Sequence, residues 1–221
     1  QDTYVEQARQ TVLADAKEML LFCYGSLLRD TGPANVEKLR AEIPGLFKLA
    51  QLVRGEPVKG VIAPKPPNSD ALNEQYVFDF VGMLGLPLMP TASIDTGAEA
   101  AFLSVHSLKD PALPGKLQAM LAAGKPVLMT DGLAERLGDL DLKKESLIIL
   151  KVNGKPRDLL GLTREQLKPI RDKLLAPFGM KFDAPNKVGL YLMGENRLVV
   201  ENFNDAGIDA AIEFTKAVNG R

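Results

Sequence analysis

Between residues 57 and 132, short apolar runs and helical stretches alternate, and this alternation leaves few folds open. The run Val58-Lys59-Gly60-Val61-Ile62-Ala63 stops at Pro64, and Tyr76, Val77, Phe80, Val81 and Leu84 follow at the spacing of one buried helix face. Apolar runs over 86–91 and 100–105 come next, then a helical pattern over 111–123 that leads into Lys125-Pro126-Val127-Leu128-Met129-Thr130. Strands joined through helices are the mark of βα units, so strands at about 58–63, 87–91, 101–106 and 126–130 are expected in one parallel sheet flanked by helices. The fold class is α/β, with three layers.

Charge and composition remove several classes of function. Lys and Arg total 27 against 28 Asp and Glu, so no net field draws the chain to nucleic acid or to an anionic membrane. Trp is absent and aromatic residues make up 6%, a thin supply for a base-stacking surface. The apolar runs are too short to span a bilayer. The single cysteine, Cys23, has no internal disulfide partner and sits in the apolar run Met19–Tyr24, where a thiol is expected to be buried and inert. The chain begins at Gln1 rather than Met and reads as a processed or an engineered product.

On either side of the alternating stretch the pattern changes. Residues 3–17 read as a helix with Val5, Ala8, Val12 and Ala16 on one face, 18–25 as a strand, and 36–53 as a second helix that Pro44 should break or kink. Gly55-Glu56-Pro57 marks a boundary, which makes 1–56 an α-β-α lead-in and 57–187 the α/β domain. After a short helix at 133–137 and a polar loop at 139–145, residues 146–152 form a further strand. Thr163 with Gln166 has the capping-box pattern for a helix to about 176. Residues 188–193 and 197–203 pair as a hairpin across Gly194-Glu195-Asn196. Alternation at Ile208, Ala210, Ile212 and Phe214 suggests a third strand, with a terminal helix as the alternative, so 188–221 reads as a small β extension.

In an open parallel sheet, ligands bind outside the carboxyl ends of the strands where strand order reverses. The loops at 65–70, 91–95, 106–110 and 130–132 would line that crevice, and they supply Lys65, Asn68, Asp70, Ser93, His106, Ser107, Thr130 and Asp131 as ligand-binding candidates. Each also has a local role open to it: Asn68, Ser69 and Asp70 as helix caps, Thr130 and Asp131 as turn formers. Any histidine chemistry must use His106, the only one. No Gly-x-Ser-x-Gly elbow, dinucleotide fingerprint or phosphate loop is present, and one His with one Cys gives no metal-ligand spacing. No catalytic residue, metal or cofactor is assigned on these grounds.

Residues 116–132 resemble class I glutamine amidotransferases around their nucleophile elbow. In that family a helix ends in Gly-Lys-Pro-Val-Leu-Gly and the strand delivers a cysteine followed by Gly. Here Gly124-Lys125-Pro126-Val127-Leu128 matches the lead-in, but Met129-Thr130-Asp131-Gly132 lacks the cysteine, and the family's later His and Glu have no visible counterpart. The resemblance implies the flavodoxin-like fold of an amidotransferase domain without its reaction. A second resemblance covers the ends. Tyr4–Ala14 followed by Glu18–Gly25 looks like the last βα turn of the barrel in β-galactosidase-like glycoside hydrolases. In those proteins a cysteine-less amidotransferase-like domain follows the barrel and supports oligomer contacts, and a small β domain comes after it. Together the resemblances imply an accessory, oligomerisation or ligand-binding domain of a carbohydrate-processing protein. Its partners would be copies of itself or the missing barrel, and its ligand a small molecule or sugar. The alternative is a hydrolase or transferase that uses His106 with Ser107, Thr130 or Asp131.

Overall fold

Continuous apolar runs become strands covered on both faces, because a parallel sheet carries helices on each side. In the computed structural model, which describes residues 2–18, 32–138 and 140–215, five such strands form one sheet. The residues divide into two compact units, Gln1–Pro57 and Val58–Arg221.

In the first unit, helix α1 (Asp2–Leu13) packs with helix α2 (Gly32–Val53) through Ala8, Leu39 and Leu46, with Val12 against them. Arg9 reaches Glu42 at 3.0 Å. On α2 the buried residues Leu39, Leu46 and Val53 recur every seventh position, while Ile43, Phe47 and Leu52 are exposed. Helix α2 runs through Pro44 without a break. The proline lies on the exposed side, where water can take the carbonyl that a proline leaves unbonded. The expected helix face loses Ala16, because α1 stops at Leu13. The expected strand at 18–25, apart from Glu18, and Cys23 within it lie outside the described residues, as do residues 30 and 31 of the following loop.

In the second unit, β2 (Val61–Pro64), β3 (Leu88–Thr91), β4 (Ala101–Leu103), β5 (Val127–Thr130) and β6 (Leu147–Leu150) are all parallel, in the order β3-β2-β4-β5-β6. Counted along the chain this is 2-1-3-4-5, consistent with a flavodoxin-like layout. The three central strands are buried throughout and the two edge strands only in part. Alternate residues feed two cores. Val61, Ala63, Phe102 and Leu128 meet α3 (Val77–Gly82) and α6 (Arg164–Leu175), whereas Ile62, Ala101, Leu103, Val127 and Met129 meet α4 (Leu113–Ala122) and α5 (Asp131–Arg136). The result is a sheet between two helical layers.

The expected strand over 58–63 is two strands. Gly60 holds φ +143°, and a Cβ there would stand 2.0 Å from the Pro87 carbonyl oxygen, so only glycine allows the approach. The kink sends β1 (Val58–Lys59) to a different sheet, antiparallel to β8 (Val188–Met193), which pairs with β9 (Arg197–Asn202) as the expected hairpin. The expected strand over 101–106 ends at Leu103 and turns into a short 3-10 segment, Val105–Lys109. The last strand, β10 (Ala211–Phe214), does not join the hairpin but pairs with β7 (Met180–Asp183). A third core, including Phe182, Val188 and Leu190, lies under these strands.

Helix α6 opens with the full capping box: Thr163 accepts from the Gln166 amide and Gln166 from the Thr163 amide. It also carries Arg171, fully buried and in no salt bridge among the described residues. The guanidinium donates to the carbonyls of Leu84 (2.7 Å), Ala184 (2.5 Å) and Pro185 (3.0 Å) and lies over the Phe182 ring. Burial pulls its pKa down to about 10.

Candidate functional site

Strand order reverses between β2 and β4, so the segments that leave these two strands face the crevice expected to hold a ligand. After β2 the chain turns at Pro66-Pro67-Asn68-Ser69, where the Ser69 amide donates to the Pro66 carbonyl at 3.1 Å. Pro67 fixes the second position and Asn68 takes φ +55° at the third, the combination a type II turn requires. Asn68, Ser69 and Asp70 therefore shape a turn instead of capping a helix. Helix α3 begins only at Val77, behind Tyr76 at φ +62° and with no side-chain cap. Leu72 is also left-handed, at φ +46°. Three left-handed non-glycine residues within nine store roughly 1–2 kcal/mol each, and strain of this kind gathers at functional loops.

The segment after β4 brings His106, only 4% exposed, against this turn. The Ser69 hydroxyl lies 2.9 Å from His106 Nδ1, and the imidazole packs on Phe78 at 5.3 Å between ring centres. Phe78 is fixed edge-on against Phe102 of β4. Burial, and then the Lys65 cation, push the His106 pKa below its ordinary value, with Asp70 opposing them. These causes favour the neutral ring, whose Nε2–H tautomer accepts from the Ser69 hydroxyl through Nδ1.

Glu74, from the same loop, is 1% exposed. Its Oε2 accepts from the Val105 amide at 3.2 Å, and its Oε1 makes no hydrogen bond among the described residues. Burial drives the Glu74 pKa upward, while the Thr130 hydroxyl and Val105 amide favour the ionised form; Asp131 adds to the rise and Arg136 counters it. Oε1 rests on Gly132, where a Cβ would come within 2.4 Å. The glycine at that position makes room for the carboxyl.

Beyond β5, Thr130 is fully buried and caps α5 by accepting from the Leu133 amide at 3.3 Å. Asp131 Oδ1 accepts from the amides of Gly132 (3.0 Å) and Val152 (3.0 Å), and Oδ2 from Asn153 (3.0 Å). These bonds tie the end of β5 to the segment after β6.

Of the sequence candidates, Lys65, Asp70 and His106 act on one another, with Lys65 Nζ over the Phe78 ring at 5.8 Å. Asp70 is otherwise engaged in holding the Leu72 amide. Ser107 is fully buried beside His106 in the chain, but the imidazole bonds Ser69 instead, and Ser107 Oγ has no hydrogen bond among the described residues. Asn68 is exposed at the turn. Ser93 is exposed after the edge strand β3, its carbonyl taken by Thr91, and no contact joins it to the others. Sequence reasoning missed Ser69 as the histidine's partner and missed Glu74 altogether. The Pro-Asn pair signalled the turn that presents Ser69; nothing local signalled Glu74.

Among the described residues, no group of three or more His, Cys, Asp or Glu is placed to hold a metal ion, and no helix is long and apolar enough to cross a membrane. Compared with protein-family models, with curated proteins and with solved structures, the chain matches none.

Proposed function

We propose that the chain carries an amidotransferase-like α/β domain that has lost the glutamine reaction and binds a small polar ligand at its strand ends, as an accessory module of a carbohydrate-processing protein. One observation carries the reading. Where the resembling family places its thiolate, Thr130 caps a helix and its hydroxyl faces the Glu74 carboxyl, and Asp131 accepts from three amides. A buried, capping hydroxyl and a carboxylate saturated by amides are poor attackers of an unactivated amide. Beside them, Ser69, His106 and Lys65 leave polar groups at the strand-order reversal.

The test uses the single histidine as a reporter. On addition of small polyols and monosaccharides the His106 ring resonances shift and saturate, while glutamine is not hydrolysed. Steady glutamine hydrolysis that disappears in Thr130→Ala or Asp131→Ala would overturn the loss of the reaction. Unmoved His106 resonances across the whole panel would remove the ligand site. A hydrolase reading with Ser69, in place of Ser107, Thr130 or Asp131, as the partner of His106 is favoured by one contact, their hydrogen bond.

A further inference from the structure

We propose that Ser69 is a serine nucleophile with His106 as its general base, and that the strand-end site takes small carboxylic esters. This rests on the ligand-binding reading above and names a substrate class for the same site.

Four observations converge on Ser69. Its hydroxyl lies 2.9 Å from the Nδ1 of the only histidine, within reach for direct proton transfer. The base is held rather than mobile: His106 is buried and packed on Phe78, itself packed on Phe102. The nucleophile is held too. Pro66 and Pro67 fix the turn, Asn68 enters the left-handed region directly before Ser69, and the Ser69 amide is bonded back to Pro66. A rigid hydroxyl beside a rigid base spends little entropy on alignment. Finally, Ser69 is only half-buried whereas its base is enclosed, so a ligand from solvent meets the hydroxyl first. Ser107 and Ser104 lack that access, being fully buried.

The chemistry balances without a further reactant besides water. Ser69 Oγ attacks the ester carbonyl as its proton passes to His106 Nδ1, forming the Oγ–acyl bond. The C–O bond to the alcohol breaks, and the departing alkoxide takes the proton from His106. Water then attacks the acyl-serine, giving its proton to His106, which returns one to Ser69 as the carboxylic acid leaves. The environment of His106 suits this role: burial and the Lys65 cation favour the unprotonated ring, the form able to act as a base.

The probes are a fluorophosphonate and p-nitrophenyl acetate, applied to the full chain. The expected result is one equivalent of phosphonate on Ser69 by peptide mapping, and a burst of p-nitrophenol equal to the protein concentration. Both are lost in Ser69→Ala. His106→Asn retains an acceptor for the Ser69 hydroxyl but no base, and should slow labelling at least 100-fold while circular dichroism stays native. In the wild type the labelling rate rises with pH through a single step, placed below the ordinary histidine value. Labelling no faster than that of the urea-unfolded chain, or labelling undiminished in Ser69→Ala, overturns the proposal. The amide analogue p-nitroacetanilide separates the two readings. If it shifts the His106 resonances while Ser69 is never acylated, the ligand site stands and the nucleophile falls. If neither binding nor acylation occurs, both fall.

Discussion

Replacing Glu74 by Gln changes a charge and little else, since the two side chains have nearly the same volume and both can accept from the Val105 amide at 3.2 Å. The wild-type carboxyl is 1% exposed, with one oxygen lacking a hydrogen bond among the described residues, and burial raises its pKa above the usual 4.5. An acid whose folded pKa lies above its unfolded value gives up its proton first in the unfolded chain. Each step in pH above about 4.5 therefore favours unfolding until the folded carboxyl ionises as well. Glu74→Gln removes that loss. Near pH 4 the two proteins should be equally stable, and the variant's lead should grow as pH rises toward 8. Urea unfolding at pH steps from 4 to 8 reads the difference directly, and subtracting the curves cancels the titrating groups that do not interact with Glu74. Glu74→Ala should be less stable than wild type at pH 4, because it strands the Val105 amide and opens a cavity. A difference between Gln variant and wild type that is flat across the range, or that shrinks as pH rises, refutes a carboxyl whose pKa is raised by burial.

Gly132→Ala should cost about 1–3 kcal/mol, since its methyl group would enter the space of Glu74 Oε1. In a Glu74→Ala background most of that cost should vanish, a coupling that a double-mutant cycle by urea unfolding measures. Arg171→Met should lose about 3 kcal/mol or more in thermal or urea unfolding, because two buried carbonyls and one part-buried carbonyl lose their shared donor. Thr163→Ala removes the capping-box acceptor at the start of α6 and should cost about 1 kcal/mol by the same assays.

The strands at the centre of the sheet were the most legible part of the sequence. Val61–Pro64 and Val127–Thr130 are buried on both faces, and that demand writes an uninterrupted apolar run. Thr163 and Gln166 were legible for a local reason, since both halves of the capping box lie within one turn. Where the reading went astray, the deciding contact was distant in the chain. Gly60 splits β1 from β2 because of the carbonyl of Pro87, and β7 exists as a strand because β10 lies against it. The site divides in the same way. His106 was found because it is the only histidine, yet its partner was misplaced: neighbouring Ser107 points to no acceptor, and Ser69, 37 residues earlier, supplies the bond. Glu74 carries no sequence signature at all. Its role comes from meeting the Val105 amide, at the start of the 3-10 segment, and Gly132, in the first turn of α5.

The central claim is that the loop after β2 and the segment after β4 meet at the strand-order reversal and form one polar site. Nitrogen-15 NMR of the lone imidazole tests it most directly. His106 should appear as the neutral Nε2–H tautomer at pH 7, with Nδ1 accepting a hydrogen bond, and should titrate below the ordinary 6.5. In Ser69→Ala the Nδ1 signal should move to that of a nitrogen without a donor. A ring that exchanges freely between tautomers, titrates as an exposed histidine and ignores the loss of Ser69 would mean that the two segments do not meet, and the site with every function built on it would fall.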